Sequence, residues 1–178
     1  PSFTNPEKNI RELGVHEGMV VADLGAGTGA YTIPLAHLVG ESGKVYAIEV
    51  QKDFLTNIKD SVVAQGLKNV ELLWGDIERL LGTKIKEGSV DAVVISNVLF
   101  QAEDKMGLIR EANRILKIGG KMLIVDWKDS FGGIGPNKEF VVPMDIAREM
   151  CEREGFVLKK DFDAGEHHYG LVMYKAER

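Results

Sequence analysis

Short apolar runs alternate with longer amphipathic stretches along most of this chain, and that alternation restricts it to few architectures. Residues 19–23, 44–49, 69–74, 91–96 and 121–126 are rich in Val, Ile, Leu and Ala, with too few polar positions for strands that face water on one side. They read as strands buried on both faces. Between them, residues 29–39 are apolar nearly all round. Residues 52–65 set Phe54, Leu55, Ile58 and Val62 at helical spacing, and 104–116 do the same with Met106, Leu108, Ile109, Ala112, Ile115 and Leu116. Strands alternating with helices imply a parallel sheet covered on both sides. Pro34 falls inside the first helix and should disturb it. Gly40 and Gly66 end the first two helices, and Gly119 with Gly120 makes the turn before the fifth strand. Beyond Asp126 the pattern changes to a glycine-rich loop (127–135), a helix (143–154) and two further strands (156–162 and 168–174). The expectation is an α/β fold on a seven-stranded sheet.

A chain of 178 residues can bury a core as one domain, 1–178, with 1–18 as a short N-terminal helical segment. It opens on Pro1, as it would if an initiator Met were trimmed, or at any arbitrary boundary. The net charge is −5 and no basic run exceeds Lys159 and Lys160, so the basic stripe of a nucleic-acid binder is missing and nucleic acid is not favoured as a partner. Cys151 is the only cysteine, which excludes an intrachain disulfide and a multi-cysteine metal site. No set of oxygen ligands marks a metal either, and none is expected. No leader pattern opens the chain, and no run of about 18 apolar residues could span a membrane. The expectation is a cytoplasmic protein without a membrane partner, and nothing in the sequence sets its oligomeric state.

In a sheet of this kind ligands bind beyond the carboxyl ends of the strands, where strand order reverses. Five features fall at such ends: Asp23 with its glycines, Glu49, Gly75 with Asp76, Ser96 with Asn97, and Asp126 with Trp127. The stretch VADLGAGTGAY, 21–31, carries three glycines behind an aspartate. Gly25, Gly27 and Ala30 fit the looser dinucleotide pattern, and a bare strand-to-helix turn would look the same. Asp23 decides between them. A carboxylate two residues before the first glycine would repel a pyrophosphate in a site of lowered dielectric. It suits a ligand with positive charge over the loop, and S-adenosylmethionine carries both an ammonium and a sulfonium. The glycines then allow close backbone approach. Glu49, ending the second strand, matches an acid that accepts from ribose hydroxyls. Asp76 can accept from an exocyclic amine or cap a helix opening at Ile77.

The segments VADLGAGTG, VYAIEV, VELLWGDIE, DAVVISNVLF and ANRILKIGGKMLIVDW, in this order and spacing, resemble the class I S-adenosylmethionine-dependent methyltransferases. The resemblance runs from about Pro6 to the end of the chain and is nearest to the small bacterial and archaeal members. It extends to the DWKDSFGGIGP loop and the HHYGLV ending. It implies a Rossmann-like doubly wound sheet of order 3-2-1-4-5-7-6 with strand 7 antiparallel. It also implies that Asp23, Gly25, Ala26, Gly27, Thr28 and Gly29 line the methionine end. Glu49 and Val50 would take the ribose, Gly75, Asp76 and Ile77 the adenine, and Ser96, Asn97 and Val98 would border the methyl group.

Methyl transfer needs alignment of nucleophile, methyl and sulfur with water kept out; a base is needed only where the acceptor must lose a proton. If the last strand runs antiparallel, His167 and His168 open it on the cofactor side, as base candidates or as a solvated turn with a packing ring. Asn97 joins them as the third candidate catalytic residue. Trp127, Phe131 and Phe100 can wall an acceptor or belong to the core. Tyr169 reads as core or rim, and Asp126 as a strand-end cap. Ser96-Asn97-Val98-Leu99 stands where DNA base-amino methyltransferases carry N-P-P-Y, which argues against that substrate. The expected function is methyl transfer to a small molecule. RNA or protein methylation and a non-catalytic cofactor-binding module are the alternatives.

Overall fold

The computed structural model describes residues 4–177; Pro1, and with it any reading of how the chain begins, lies outside them. Seven strands, β1 (Val20–Leu24), β2 (Lys44–Glu49), β3 (Val70–Trp74), β4 (Val90–Ser96), β5 (Leu116–Trp127), β6 (Phe156–Gly165) and β7 (His168–Lys175), form one sheet. Their order is β3-β2-β1-β4-β5-β7-β6. β1 pairs in parallel with β2 and β4, and β7 runs antiparallel to β5 and β6, as the resemblance implies.

Side-chain alternation along each strand builds the two covering layers. On one face Ala22, Leu24, Val93, Ile95, Met122 and Ile124 pack under α4 (Lys105–Ile115) and α5 (Met144–Arg153). On the other, Val21, Val94, Leu123 and Val125 meet α1 (Pro6–Leu13) and α2 (Thr32–Val39). α3 (Lys52–Ala64) closes that layer through Ile58 and Val62 against Ala47. Full burial of each such aliphatic side chain stabilises the fold by about 1.5–3 kcal/mol.

The helix ends follow local chemistry. Asn5 caps α1 by accepting from Lys8 N at 3.1 Å, Pro6 takes the first turn, and Gly14 at φ +73° closes it. α2 begins at Thr32 rather than at 29, so Pro34 sits in the first turn, where a missing N–H costs nothing, and the helix is regular after all. Asp104 caps α4 by accepting from Gly107 N at 2.8 Å. β5 is longer than its apolar run. Its bridges to β4 jump from Val90–Leu116 to Ala92–Lys121, so the expected turn at Gly119 and Gly120 survives as an outward bulge within the strand. Three short 3-10 turns, Leu99–Gln101, Phe131–Gly133 and Lys138–Phe140, have no counterpart in the sequence reading. No helix among the described residues is long and apolar enough to cross a membrane.

Candidate active site

At the carboxyl edge a cleft of about 700 Å³ lies between the loop after β1 and the ends of β2 to β5 and the start of β7. β1 delivers Asp23 to its floor, 3 % exposed, where Oδ2 accepts from Thr32 Oγ1 at 2.7 Å. The backbone then turns sharply. Gly25 N and Ala26 N donate to Ile48 O at 2.9 and 3.1 Å, binding the loop to the end of β2. Gly25 has φ +77°, and a Cβ there would stand 2.6 Å from Val98 Cγ2. Gly27, Thr28 and Ala30 continue the lining. Gly29 does not: it sits behind the loop, buried, with its Cβ position 3.2 Å from Ile58 Cγ1.

Glu49 is nearly buried at the end of β2. Its Oε1 accepts from Gly27 N at 3.3 Å and its Oε2 from Gln51 N at 2.8 Å. Each oxygen retains a lone pair for a hydroxyl. Val50, exposed, forms the rim. Gly75 N donates to Glu49 O at 3.2 Å, joining the ends of β2 and β3. Asp76 is exposed and accepts from Glu78 N at 2.9 Å; no helix opens there, so it closes a turn instead of capping a helix. Ile77 lines the cleft beside it.

Across the switch point, Ser96, Asn97 and Val98 leave β4 into the cleft. Asn97 adopts φ +56°. β7 starts opposite, because the Glu166-His167 turn joins β6 to β7 with Gly165 facing His168. His168 is buried and its Nε2 lies 2.9 Å from Asn97 Oδ1. The Trp127 ring stands 4.3 Å from that imidazole, and both line the cleft. His167 lies behind them, its ring 4.4 Å from Phe131; neither lines the cleft. Phe100 is also outside it. Its backbone N donates to Asp126 Oδ2 at 3.1 Å, so buried Asp126 caps the turn after β4 as well as accepting from Trp127 N. Tyr169 is core, its hydroxyl donating to Val142 O at 2.7 Å.

Burial, with the charge of Glu49 adding to it, pushes Asp23 up to about 7. Burial likewise raises Asp126 to about 6. The same desolvation, helped by His167 and Lys128, holds His168 down to about 4. The cleft therefore carries at one end a buried acid whose ionised form a cation would stabilise, and at the other an imidazole whose burial disfavours the charged form. S-adenosylmethionine fits this arrangement. Its ammonium would meet Asp23, its ribose Glu49, and its adenine the Gly75–Ile77 corner, with the loop backbone drawn close where Gly25 leaves no room for a side chain.

Sequence reasoning missed Thr4, Pro6, Tyr31, Gln51, Phe54, Glu78, Gln101 and Ala102, which also line the cleft. Only Tyr31, adjoining the glycine loop, carried a local signal.

Residues 15–160 match the family described as a methyltransferase domain. Demethylmenaquinone methyltransferase of Bacillus mycoides is 33% identical over 120 residues, covering 67% of this chain and 49% of the relative. The enzyme of that name from Lactococcus lactis is 31% identical over 119 residues, 67% of this chain and 46% of the relative. The chain thus spans about half the length of the curated relatives it matches. The crystal structure of a SAM-dependent methyltransferase from Aquifex aeolicus superposes with a TM-score of 0.87 at 30% identity, covering 96% of this chain and 89% of that one. This sheet order and these relatives identify the chain as a member of the class I S-adenosylmethionine-dependent methyltransferases.

Proposed function

We propose that the protein transfers the methyl group of S-adenosylmethionine to a small-molecule acceptor. The observation that carries this reading is the continuity of the cleft, which runs from Asp23 and the glycine loop to Asn97, Trp127 and His168 without a wall between them. The bound cofactor supplies a methyl carbon already activated by its sulfonium. Asp23 would hold the ammonium and Glu49 the ribose, while Ser96, Asn97 and Val98 would flank the methyl. The acceptor enters from the β5–β7 side, its nucleophilic atom in line with carbon and sulfur. Transfer would form the acceptor–carbon bond and break the carbon–sulfur bond, leaving S-adenosylhomocysteine, and an O–H or N–H acceptor would release its proton to water. Alignment and exclusion of water supply the rate. His167 and Phe131 buttress the acceptor wall from behind. A small acceptor accords with the demethylmenaquinone in the names of the curated relatives and with a cleft free of lysine and arginine among its described lining residues.

Incubation with methyl-labelled cofactor and separate metabolite, RNA and protein fractions of a cell extract tests the reading. Label is expected in the metabolite fraction. Label in RNA or protein overturns the small-molecule acceptor, and bound cofactor with no transfer to any fraction marks a non-catalytic module.

A further inference from the structure

The strand order divides the cleft by charge. β1, β2 and β3 bring every acidic group that lines it, Asp23, Glu49, Asp76 and, just beyond, Glu78. On the side of β4, β5 and β7, from Ser96 to Val98 and at Gln101, Ala102, Trp127 and His168, the lining carries no charge if the imidazole is neutral. The nearest cations are turned to other work. Lys105 Nζ donates to the carbonyls of Leu99, Phe100 and Ala102 at 2.9, 3.2 and 2.7 Å. Lys128 donates to Asp163 Oδ1 and to Gly165 O. An anionic acceptor would find no cationic side chain among the described residues lining the cleft, only the donor's sulfonium, and would face the acids across from it, an arrangement that costs free energy in a desolvated site.

What that side offers instead is the buried Ser96 Oγ, without a hydrogen-bond partner among the described residues, and an amide whose orientation is set, that of Asn97. His168 Nδ1 is buried without a hydrogen-bond partner. A bare lone pair is the cheaper orphan than a stranded N–H, so the ring hydrogen sits on Nε2 and is donated to Asn97 Oδ1. The depressed basicity of His168, chiefly from burial, agrees with a neutral ring. With its oxygen so engaged, the Asn97 amide keeps Nδ2 unused among the described residues. Its backbone is fixed as well: Asn97 N donates to Val125 O at 2.9 Å, and Gln101 Nε2 donates to Asn97 O at 3.1 Å. Asn tolerates the left-handed conformation at φ +56° better than other side chains, at a cost met by this surrounding bonding.

Resting on the methyltransferase reading above, we infer that the acceptor is an uncharged molecule held through an oxygen that accepts from Asn97 Nδ2, with its flat or apolar part against Trp127, and that His168 is the positioning residue for that amide. The imidazole touches Asn97 and the Trp127 ring and orients both.

The test uses the protein saturated with S-adenosylhomocysteine and ligand-observed NMR. The probes are neutral phenols and aryl ketones, each matched to its ring carboxylate, with 1-naphthol against 1-hydroxy-2-naphthoate as one pair. Neutral members are expected to bind at least about ten-fold tighter than their carboxylates. His168→Leu should weaken them by about five-fold or more, the loss of one oriented neutral hydrogen bond, and His168→Gln, whose amide can donate to Asn97 Oδ1, should restore them to within about two-fold. Recovery in His168→Gln of what His168→Leu loses is the readout that a merely structural histidine would not give. Carboxylates binding as well as neutral probes, no neutral probe binding to the cofactor-loaded protein, or His168→Leu binding like wild type each overturns the inference. Failure of the wild type to bind S-adenosylhomocysteine would instead strike the methyltransferase reading itself.

Discussion

Replacing Asp23 with Asn should make the ligand-free protein more stable and the cofactor complex weaker, both in a pH-dependent way. The carboxyl is raised from 3.8 to about 7, chiefly by burial. Between those values the native state keeps a proton that the unfolded chain has released, so stability falls as pH rises through that window and the penalty is complete above pH 7. A shift of this size corresponds to about 4 kcal/mol at most, since each unit is worth about 1.4 kcal/mol. Relaxation around the site reduces it, so Asp23→Asn should gain about 1–4 kcal/mol at pH 8 and roughly a third of that at pH 5. The amide oxygen can still accept from Thr32 Oγ1, which keeps the comparison to charge alone. The cofactor needs the ionised form. Wild-type affinity should therefore decline as pH falls below about 7, and the variant should lose this dependence together with about ten- to hundred-fold in affinity at pH 8, the range for a hydrogen bond to a charged group. Urea denaturation and calorimetry with S-adenosylhomocysteine, each at pH 5 and pH 8, measure both arms. Equal stability of the two proteins at pH 8, with unchanged affinity, would refute the reasoning.

Glu49→Ala should cost about 1.5–3 kcal/mol of cofactor affinity by calorimetry, and a loss of a few tenths would show that its oxygens serve only Gly27 N and Gln51 N. Gly25→Ala must adopt φ +77° and meet Val98 Cγ2 at 2.6 Å, so it should lose both stability and cofactor; Gly66→Ala, at φ +65° in open space, should show only the backbone cost of about 1–2 kcal/mol. Glu111 is fully buried and accepts from Leu81 N, Thr83 N, Thr83 Oγ1 and Arg114, bracing the loop behind Asp76. Glu111→Ala should cost about 3–5 kcal/mol in urea denaturation by stranding Arg114, and less than about 1 kcal/mol would mean that water replaces it.

Most of the sheet was legible because its strands are buried on both faces and so stand out as unbroken apolar runs. Asp23, Glu49 and Asp76 were legible for a related reason: polar residues that terminate such runs have few structural excuses. The helix start at Thr32 was not, because Gly29 and Ala30 are as compatible with a turn as with a helix, and only the fold shows that Pro34 lies in the first turn. Gly29 shares a motif with Gly25 and Gly27 yet packs on Ile58, a contact that spacing alone does not reveal. The pairing of Asn97 with His168 spans 71 residues and depends on strand 7 reversing direction. Thr4 and Pro6 reach the cleft from a segment with no periodic signal of its own. Glu111 looked like one more polar position on an amphipathic helix, although its carboxylate is fully enclosed.

A crystal structure with S-adenosylhomocysteine tests the central claim most directly. The account places the ammonium at Asp23, the ribose hydroxyls on Glu49, and the sulfur facing the opening between Asn97, Trp127 and His168. A sulfur turned away from those three residues, or a nucleoside bound without contact to Glu49, would contradict it.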